Sequence, residues 1–467
     1  MKDLMPTGQV ETYEANVTPS GAMPCGLENP PSVERDSGGG LGLSEWPDFK
    51  IPIEWSFVRI NDLAVKLKAG GTPSRQNKAY FGGNIPFVLI DDMTSSGVYL
   101  KATKETISQK GLDSCSAWIV PENSILLSMY ATIGATVINT MPVATNQAII
   151  AIIPHENCDR VYLSFCLRAH NVHLARLNVE STQKNINKGI VSSFPIPLPP
   201  LLEQKKIAHI LSTVQRAIEA QERLIQTTTE LKKALMHKLF TEGLRHEPQK
   251  QTEIGLVPES WEVIELGDML KLAQYGLSVK GNDEGNYPIL RMTNQVNGQI
   301  VNRNLQYVEI SDADHAKFKV ERGDILFNRT NSLDLVGRTA IFDIGGDFVF
   351  ASYLIRLQTD EKHLNPFFLN CYFNTDEIQV RLKSIATRAV SQSNISASRL
   401  KGFPIPKPSL DEQEEMVTAS LALDRKLAVH QAKLEQLQAL FHMLLHELMT
   451  AKTRVHDINL LTGGQSA

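Results

Sequence analysis

Residues 194–204, FPIPLPPLLEQ, return as residues 403–413, FPIPKPSLDEQ, at an offset of 403 − 194 = 209. The similarity continues without a gap to Thr241 in the first copy and Thr450 in the second. Each copy begins with a proline-rich exit, passes through Glu-Gln and enters a long segment of periodic apolar residues. The repeat therefore predicts two globular domains, each followed by a long helix.

A second pair of motifs marks the start of each domain. Residues 52–55, PIEW, are echoed by residues 258–261, PESW, at an offset of 261 − 55 = 206. Because the two offsets differ by only three residues, the domains have nearly equal length. Apolar β-type runs such as residues 148–153 accompany helix-like segments such as residues 160–178, which predicts mixed α/β domains around a twisted sheet.

The motifs divide the chain into seven predicted segments. The first is rich in Gly, Pro, Ser and Glu and shows no sustained period, so we expect it to be largely disordered. The segments are an acidic tail (1–46), a first domain (47–200), a first spacer helix (201–245), a linker (246–257), a second domain (258–408), a second spacer helix (409–452) and a C-terminal tail (453–467).

Both long segments place seam residues at alternating steps of four and three, which is the pattern of a coiled coil. Each narrow stripe is expected to pack on the other. Because the first helix runs away from its domain and the second must return, we expect an antiparallel, pseudo-twofold pair, roughly 60 Å long for about forty residues. The seam comprises Ile207, Leu211, Val214, Ile218, Gln221, Ile225, Thr228, Lys232, Leu235 and Leu239, then Met416, Ser420, Leu423, Leu427, His430, Leu434, Leu437, Phe441, Leu444 and Leu448.

One seam position is polar near the middle of both helices, where Gln221 and His430 stand at the same place in the repeat. A single polar seam residue often fixes the register of a coiled coil. Near a twofold axis these two side chains could face each other. Simple exposure at a fraying seam is the alternative.

Charge is distributed unevenly along the 467 residues. The net charge is −4, but residues 1–50 carry eight acidic and three basic side chains, so the remainder carries −4 + 5 = +1. No acidic residue lies between Glu377 and Asp411 or between Glu180 and Glu203. Solvated loops and contacts with phosphates or an acidic partner both explain such segments. Their basic residues are Arg381, Lys383, Arg388, Arg399, Lys401 and Lys407, and Lys184 and Lys188.

Composition argues against several other classes of protein. The five cysteines include no C-x-x-C pair, which disfavours a disulfide framework or a zinc site. No signal peptide and no run of 18 apolar residues is present, so we expect a soluble protein of the reducing cytoplasm.

Two similar domains in inverted orientations suit duplex DNA, because its strands also run in opposite directions. Half-sites on one face lie about 34 Å apart, which a helix pair of this length can span. Groove contacts use Arg, Lys, Asn, Gln, Ser and Thr. The candidate DNA-binding residues are Thr72, Ser74, Arg75, Gln76, Asn77, Lys78, Lys184 and Lys188 in the first domain, and Arg291, Asn328, Arg329, Asn331, Arg338 and Arg388 in the second.

The order of motifs resembles one known family. Residues 70–74, 80–86 and 182–186, the proline-rich exits and residues 391–395 are similar to the DNA-specificity subunit of type I restriction-modification systems. The resemblance extends over residues 52–450. It implies two target-recognition domains, each reading half of a bipartite asymmetric DNA target, with the helix pair setting the gap.

The same resemblance implies partners that carry the chemistry. Two methyltransferase subunits would use S-adenosylmethionine to methylate adenine, and restriction subunits would use ATP and Mg²⁺ to translocate and cut DNA. The helix pair is the expected methyltransferase dock, although it could serve only to hold the domains apart. This chain would itself be non-catalytic, with no metal site.

Catalytic motifs are incomplete. Residues 29–31, NPP, resemble an adenine-methyltransferase motif, but Ser32 replaces the aromatic residue that stacks on a flipped base. Residues 230–232, ELK, resemble part of a nuclease signature but fall on a predicted surface helix. His442 and His446 lack a third metal ligand nearby. The alternative function is a non-catalytic, bivalent protein-binding scaffold.

Overall fold

Two mixed α/β domains alternate with two long helices in the protein, whose structure is a computed structural model. It describes residues 51–177, 185–388 and 392–455. The predicted acidic tail and nearly all of the predicted C-terminal tail lie outside these ranges.

The first domain precedes helix α7 (Leu201–Glu242). Its strands are β1 (Ser56–Arg59), β2 (Ala64–Ala69), β3 (Phe81–Val88), β4 (Tyr99–Leu100), β5 (Glu105–Ile107), β6 (Ile125–Ser128), β7 (Thr136–Asn139), β8 (Ala144–Thr145), β9 (Ile149–Pro154) and β10 (Pro195–Leu198). Its helices are α1 (Ile60–Leu63), α2 (Ile90–Thr94), α3 (Gln109–Asp113), α4 (Arg160–Ala169), α5 (Asn171–Arg176) and α6 (Lys188–Ser193).

The second domain precedes helix α12 (Leu410–Met449). A hairpin of β11 (Gln249–Thr252) and β12 (Gly255–Pro258) comes first. The strands that follow are β13 (Glu262–Glu265), β14 (Leu270–Tyr275), β15 (Tyr287–Leu290), β16 (Gln295–Val296), β17 (Gln299–Ile300), β18 (Gln306–Val308), β19 (Ile325–Asn328), β20 (Thr330–Asn331), β21 (Thr339–Ile341), β22 (Val349–Phe350), β23 (Leu354–Thr359), β24 (Thr387–Arg388), β25 (Ser393–Asn394) and β26 (Pro404–Lys407). Its helices are α8 (Asp312–Phe318), α9 (Pro366–Phe373), α10 (Asp376–Ser384) and α11 (Ala397–Lys401).

The two domains share one topology. The main sheet of the first has the order β2-β9-β6-β7-β4, and that of the second has β14-β23-β19-β21-β17-β16. Smaller sheets also correspond, with β5-β3-β8 matching β18-β15-β22 and β1-β10 matching β13-β26. Strand β9 is the apolar run that the sequence predicts, and its first four residues are buried because it lies between β2 and β6.

The long helices end where local chemistry requires it. Helix α7 stops at Glu242, three residues before the predicted end, because Gly243 adopts a φ of 67°, which favours glycine. Helix α12 begins after Ser409, whose side chain accepts a hydrogen bond from the amide of Glu412. The predicted linker contains most of the β11–β12 hairpin, whose Val257 is buried in the core of the second domain.

Helices α7 and α12 pack together in antiparallel directions. Gln221 contacts His430 and Lys232 pairs with Asp424 at 2.5 Å, so positions rise along α7 as they fall along α12. All twenty predicted seam residues lie in described parts of the chain, and each is buried or half-buried. The antiparallel helix pair is thus confirmed.

The polar seam residues face each other, which is one of the two arrangements that the repeat leaves open. Gln221 Nε2 lies 2.7 Å from His430 Nδ1 and donates to the carbonyl oxygen of His430 at 2.9 Å. Gln221 is 3% exposed, so this bond satisfies a polar group that would otherwise be costly to bury. The fraying-seam alternative is excluded at this position.

Each domain packs on both helices. Phe441 near the end of α12 meets Phe165 of α4 in the first domain, with ring centroids 5.8 Å apart. Phe240 near the end of α7 meets Phe368 of α9 in the second domain at 5.4 Å, and Met416 of α12 lies in the same core. The helices therefore contribute to the domain cores as well as connecting them.

Glu-Gln at the start of each long helix joins that helix to its domain. Trp55 Nε1 donates to Glu203 Oε2 at 3.1 Å, and Trp261 Nε1 donates to Glu412 Oε2 at 3.1 Å. All four side chains are buried. We call the contact of Trp55 with Glu203, together with Gln204, the first joint, and the contact of Trp261 with Glu412, together with Gln413, the second joint.

The glutamine of each joint binds the start of a helix in the same domain. Gln204 Oε1 accepts a hydrogen bond from the amide of Asp159, and Gln413 Oε1 accepts one from the amide of Asn365, both at 2.8 Å. Asp159 and Asn365 are the N-caps of α4 and α9. The two joints therefore use the same tryptophan, glutamate and glutamine contacts, although Glu203 also binds Arg454 whereas Glu412 also accepts from the amide of Leu244.

Candidate nucleic-acid interface

A small sheet gathers several predicted contact residues of the second domain. Strand β20 follows directly from β19 and pairs with β25, which in turn pairs with β24. The sheet brings Asn331 opposite Ser393, and Arg388 opposite the same serine. The side chain of Arg388 lies outside what the structure describes. Two segments that are distant in sequence thus form one surface.

Arg329 is the single residue between β19 and β20. Its guanidinium carbon lies 4.6 Å from the ring centroid of Tyr275, and its Nη1 donates to the carbonyl oxygen of Ser352 at 3.3 Å. Tyr275 is 41% exposed, and its hydroxyl accepts a hydrogen bond from the amide of Ala397 at 2.9 Å. Arg329 is half-buried and its Nε is enclosed, so the cation is held over the aromatic face and only its terminal Nη donors can meet a ligand.

The other predicted residues of the second domain differ in accessibility. Asn328 is 2% exposed, so its side chain cannot reach a ligand in this arrangement, and its burial argues against a contact with DNA. Asn331 and Arg291 are half-buried, and Arg291 Nη2 donates to the carbonyl oxygen of Asn304 at 2.7 Å. Arg338 is exposed. The exposure of these candidates therefore depends more on where they lie in the fold than on their residue type.

In the first domain, the predicted loop 72–78 is mostly exposed. Arg75 Nη1 is 2.7 Å from Glu105 Oε2, and its guanidinium also lies 4.7 Å from the ring centroid of Phe81. The charge of Arg75 is therefore compensated within the domain. Asn77 Oδ1 accepts from the amide of Ala79 and so caps the short turn that follows.

Ser74, Gln76 and Lys78 remain exposed in that loop, and Thr72 is half-buried and hydrogen-bonds Gln147. Lys188 is exposed at the start of α6, and Lys184 lies outside the described residues.

Sequence reasoning missed a basic and aromatic patch on the first domain. Lys66 and Lys68 alternate along edge strand β2, so they share one face of the sheet. Their Nζ atoms lie 4.1 and 5.5 Å from the ring centroid of Trp118. The lysine spacing was visible in the sequence, but the approach of Trp118 depends on tertiary structure.

Burial strongly changes the ionisation of two side chains of the first domain, Cys158 and His170. Burial raises the pKa of Cys158 to about 12, so its thiol stays protonated and inert near neutral pH. Burial, followed by the nearby His173 and His446, lowers the pKa of His170 to about 3. Within the described ranges, no group of three or more potential ligands suits a metal ion. No described helix could cross a membrane.

Comparisons with known proteins agree with the geometry. The sequence profile described as "Type I restriction modification DNA specificity domain" matches residues 52–229 and again 258–439. The specificity subunit of the type I restriction enzyme MjaVIII from Methanocaldococcus jannaschii is 25% identical over 433 residues, covering 89% of this chain and 97% of the relative. The EcoBI specificity subunit from Escherichia coli is 23% identical and covers 75% and 78%.

A solved structure supports the fold. The type-I restriction-modification system S subunit from M. genitalium has a TM-score of 0.55 with 18% identity, covering 87% of this chain and 98% of that one.

Proposed function

Because the chain belongs to the type I restriction-modification DNA specificity family, we propose that each of its domains reads one half of a bipartite, asymmetric DNA target. The single observation that carries this proposal is the pair of equivalent joints on antiparallel helices. They present two similar domains in opposite orientations, which matches the opposite polarity of the two strands of a duplex. Because the contact loops differ in sequence, the two half-sites should differ.

The chemistry in this proposal resides on partner subunits. Methyltransferase subunits would bind S-adenosylmethionine and methylate adenine in each half-site, while restriction subunits would use ATP and Mg²⁺. This chain would be non-catalytic and would act in the cytoplasm, where the DNA lies. The support for these assignments is the family to which the chain belongs.

The outer face of the helix pair suits two copies of the methyltransferase. Leu231 of α7 and Leu440 of α12 stand at the repeat offset, 440 − 231 = 209, and are 55% and 39% exposed. Large exposed apolar side chains at equivalent positions fit two equivalent protein contacts. The proposed assembly therefore has one methyltransferase on each helix.

Methylation mapping tests the DNA-reading function. Cells would express this chain with its partner methyltransferase, and a control culture would express the methyltransferase alone. We expect methylated adenines in one split motif with a fixed gap, only when the chain is present. An assembled complex that methylates no split motif would contradict the proposal and favour the bivalent scaffold.

A further inference from the structure

Equivalent positions in the two domains can be matched through their backbone hydrogen bonds. In the first domain the amide of Met129 donates to the carbonyl oxygen of Ala148, and the amide of Ile186 donates to the carbonyl oxygen of Met129. In the second domain the amide of Arg329 donates to the carbonyl oxygen of Tyr353 at 3.0 Å, and the amide of Ile395 donates to the carbonyl oxygen of Arg329 at 2.9 Å. Arg329 and Tyr353 therefore replace Met129 and Ala148.

At two neighbouring positions, too, the second domain carries a different residue in place of an apolar residue of the first domain. Edge strands β2 and β14 end at Ala69 and Tyr275, which pair with equivalent residues of β9 and β23. Helices α6 and α11 precede the proline-rich exits and place Ile190 and Arg399 at the repeat offset, 399 − 190 = 209. We call the four residues of the second domain, Tyr275, Arg329, Tyr353 and Arg399, the Arg-Tyr corner.

Contacts in the structure connect three of the four residues of the Arg-Tyr corner. The ring of Tyr275 lies under Arg329, and its hydroxyl binds the first residue of α11. From α11, Arg399 Nη1 donates to Thr387 Oγ1 at 2.8 Å. Thr387 lies opposite Asn394, whose Nδ2 donates to Thr330 Oγ1 at 2.9 Å, next to Arg329. These residues form a single closed circuit of contacts.

The fourth residue completes this surface. Tyr353 accepts the backbone hydrogen bond from Arg329, and its side chain is 48% exposed. Its counterpart in the first domain, Ala148, is 8% exposed and has no side chain long enough to reach a ligand. The exchange therefore adds an exposed aromatic side chain at the position whose backbone pairs with that of the arginine.

Within the described residues, most N–H donors of Arg329 and Arg399 make no hydrogen bond, and the charge of neither is neutralised. Neither forms an ion pair with a carboxylate of the described residues, and their hydrogen bonds go to neutral oxygen atoms. Arg329 makes a single hydrogen bond, at 3.3 Å from Nη1; its Nε is buried, and the remaining N–H donors are those of the two terminal nitrogens. Held on an aromatic ring and uncompensated, it is arranged to meet an acceptor pair such as the O6 and N7 edge of guanine.

We propose that the Arg-Tyr corner contacts the second half-site and that Arg329 helps to determine its sequence. The first domain, which has apolar residues at the same four positions, makes no equivalent contact. This inference rests on the proposed function and explains how one framework can read two different half-sites. The backbone hydrogen bonds that both domains share fix these positions in space, and the side chains at the positions differ between the domains.

Exchange variants test the proposal directly. Arg329→Met and Tyr353→Ala give the second domain the residues that the first domain carries. Arg322→Ala is the matched control, because Arg322 is exposed in the same domain but pairs with Asp343 at 2.5 Å, outside the corner. Each variant would be purified in complex with the partner methyltransferase, and its thermal midpoint would be compared with that of the unmodified complex.

Binding would be measured by fluorescence anisotropy on three duplexes. One carries the split motif found by methylation mapping, and the others have the first or the second half-site scrambled. We expect Arg329→Met to weaken binding to the intact motif roughly five- to 150-fold and to reduce discrimination against the scrambled second half. Discrimination against the scrambled first half should persist, which also shows that the variant is folded. Arg322→Ala should match the unmodified complex.

Distinct outcomes overturn the inference and the function. If the unmodified complex reads a split motif and both exchange variants read it equally well, the Arg-Tyr corner is not a recognition site. Equal weakening on the intact and the scrambled second half would also overturn the proposal, because it would indicate only a phosphate contact. If the unmodified complex prefers no split motif, the proposed function fails and the inference fails with it.

Discussion

Glu412 shows how much a single buried carboxylate holds together. Its side chain is 2% exposed and accepts hydrogen bonds from Trp261 Nε1 at 3.1 Å and from the amide of Leu244 at 2.9 Å. Arg245 Nε lies 3.9 Å away and offsets the buried charge. One side chain thus connects α12, the second domain and the end of α7.

Replacing Glu412 with Leu should destabilise the protein by about 2–5 kcal/mol, because the buried indole of Trp261 and the half-buried amide of Leu244 would lose their acceptor and Arg245 its counter-charge. Equilibrium urea unfolding, followed by tryptophan fluorescence, measures the change. Glu414→Leu is the control, since Glu414 is exposed on the same helix. A loss below about 0.5 kcal/mol in the Glu412 variant, a value typical of surface changes, would contradict this role for the joint.

At this scale the sequence was only partly informative. The repeat singled out Glu203 and Trp55, but they are separated by 148 positions, and their hydrogen bond depends on the tertiary fold. Asn328 was a reasonable choice by residue type, yet it is buried. Nothing in the sequence distinguishes Tyr275 and Tyr353 from the buried aromatic residues, because exposure depends on the tertiary fold.

Among the secondary-structure elements, the helices were the most predictable. Heptad periodicity is a local property, so the seam is predicted from the sequence and confirmed, whereas the sequence leaves two alternatives for Gln221 and His430 and the structure shows direct contact. The β11–β12 hairpin was missed because Gln249–Thr252 lacks the apolar alternation of a typical strand. Its stability comes partly from Val257, which is buried among residues distant in sequence.

Inserting one heptad into each helix, at the level of Gln221 and His430, should lengthen the gap between the half-sites and leave both half-sites unchanged. Seven residues add about 10 Å, which corresponds to about three base pairs. Because three base pairs also rotate the duplex by roughly 100°, affinity should fall. Methylation mapping reports the new gap.

A single heptad inserted into α7 alone is the control for that experiment, because it shifts one seam against the other and should prevent a stable complex. A changed half-site sequence in the double insertion would show that the helices do more than set the spacing.

For the whole molecule, chain connectivity already required antiparallel helices, and the resemblance of the motifs to the type I specificity family is confirmed. The faces that meet DNA and partners could not be predicted, because they depend on how loops from distant segments converge. The surface that unites residues 330–331 with 393–394 is one example.

The pseudo-twofold plan predicts two separable partner contacts. Leu231→Glu and Leu440→Glu should each remove one methyltransferase from the complex, and the double variant should remove both, because a buried charge opposes docking. Native mass spectrometry gives the stoichiometry. Gln226→Glu adds the same charge about 140° around α7 from Leu231 and should leave two methyltransferases bound. Loss of both partners from either single leucine variant would contradict independent contacts.

The equivalent joints also bear on how the protein can evolve. An incoming domain fits either long helix if it has an indole donor and a helix-capping residue at the matching places and an apolar surface for the aromatic residues of the helices. Genetic recombination within the repeated helix segments can therefore exchange one domain as a cassette and leave both attachments intact. A single crossover event would then give the cell a new combination of half-sites without a new scaffold.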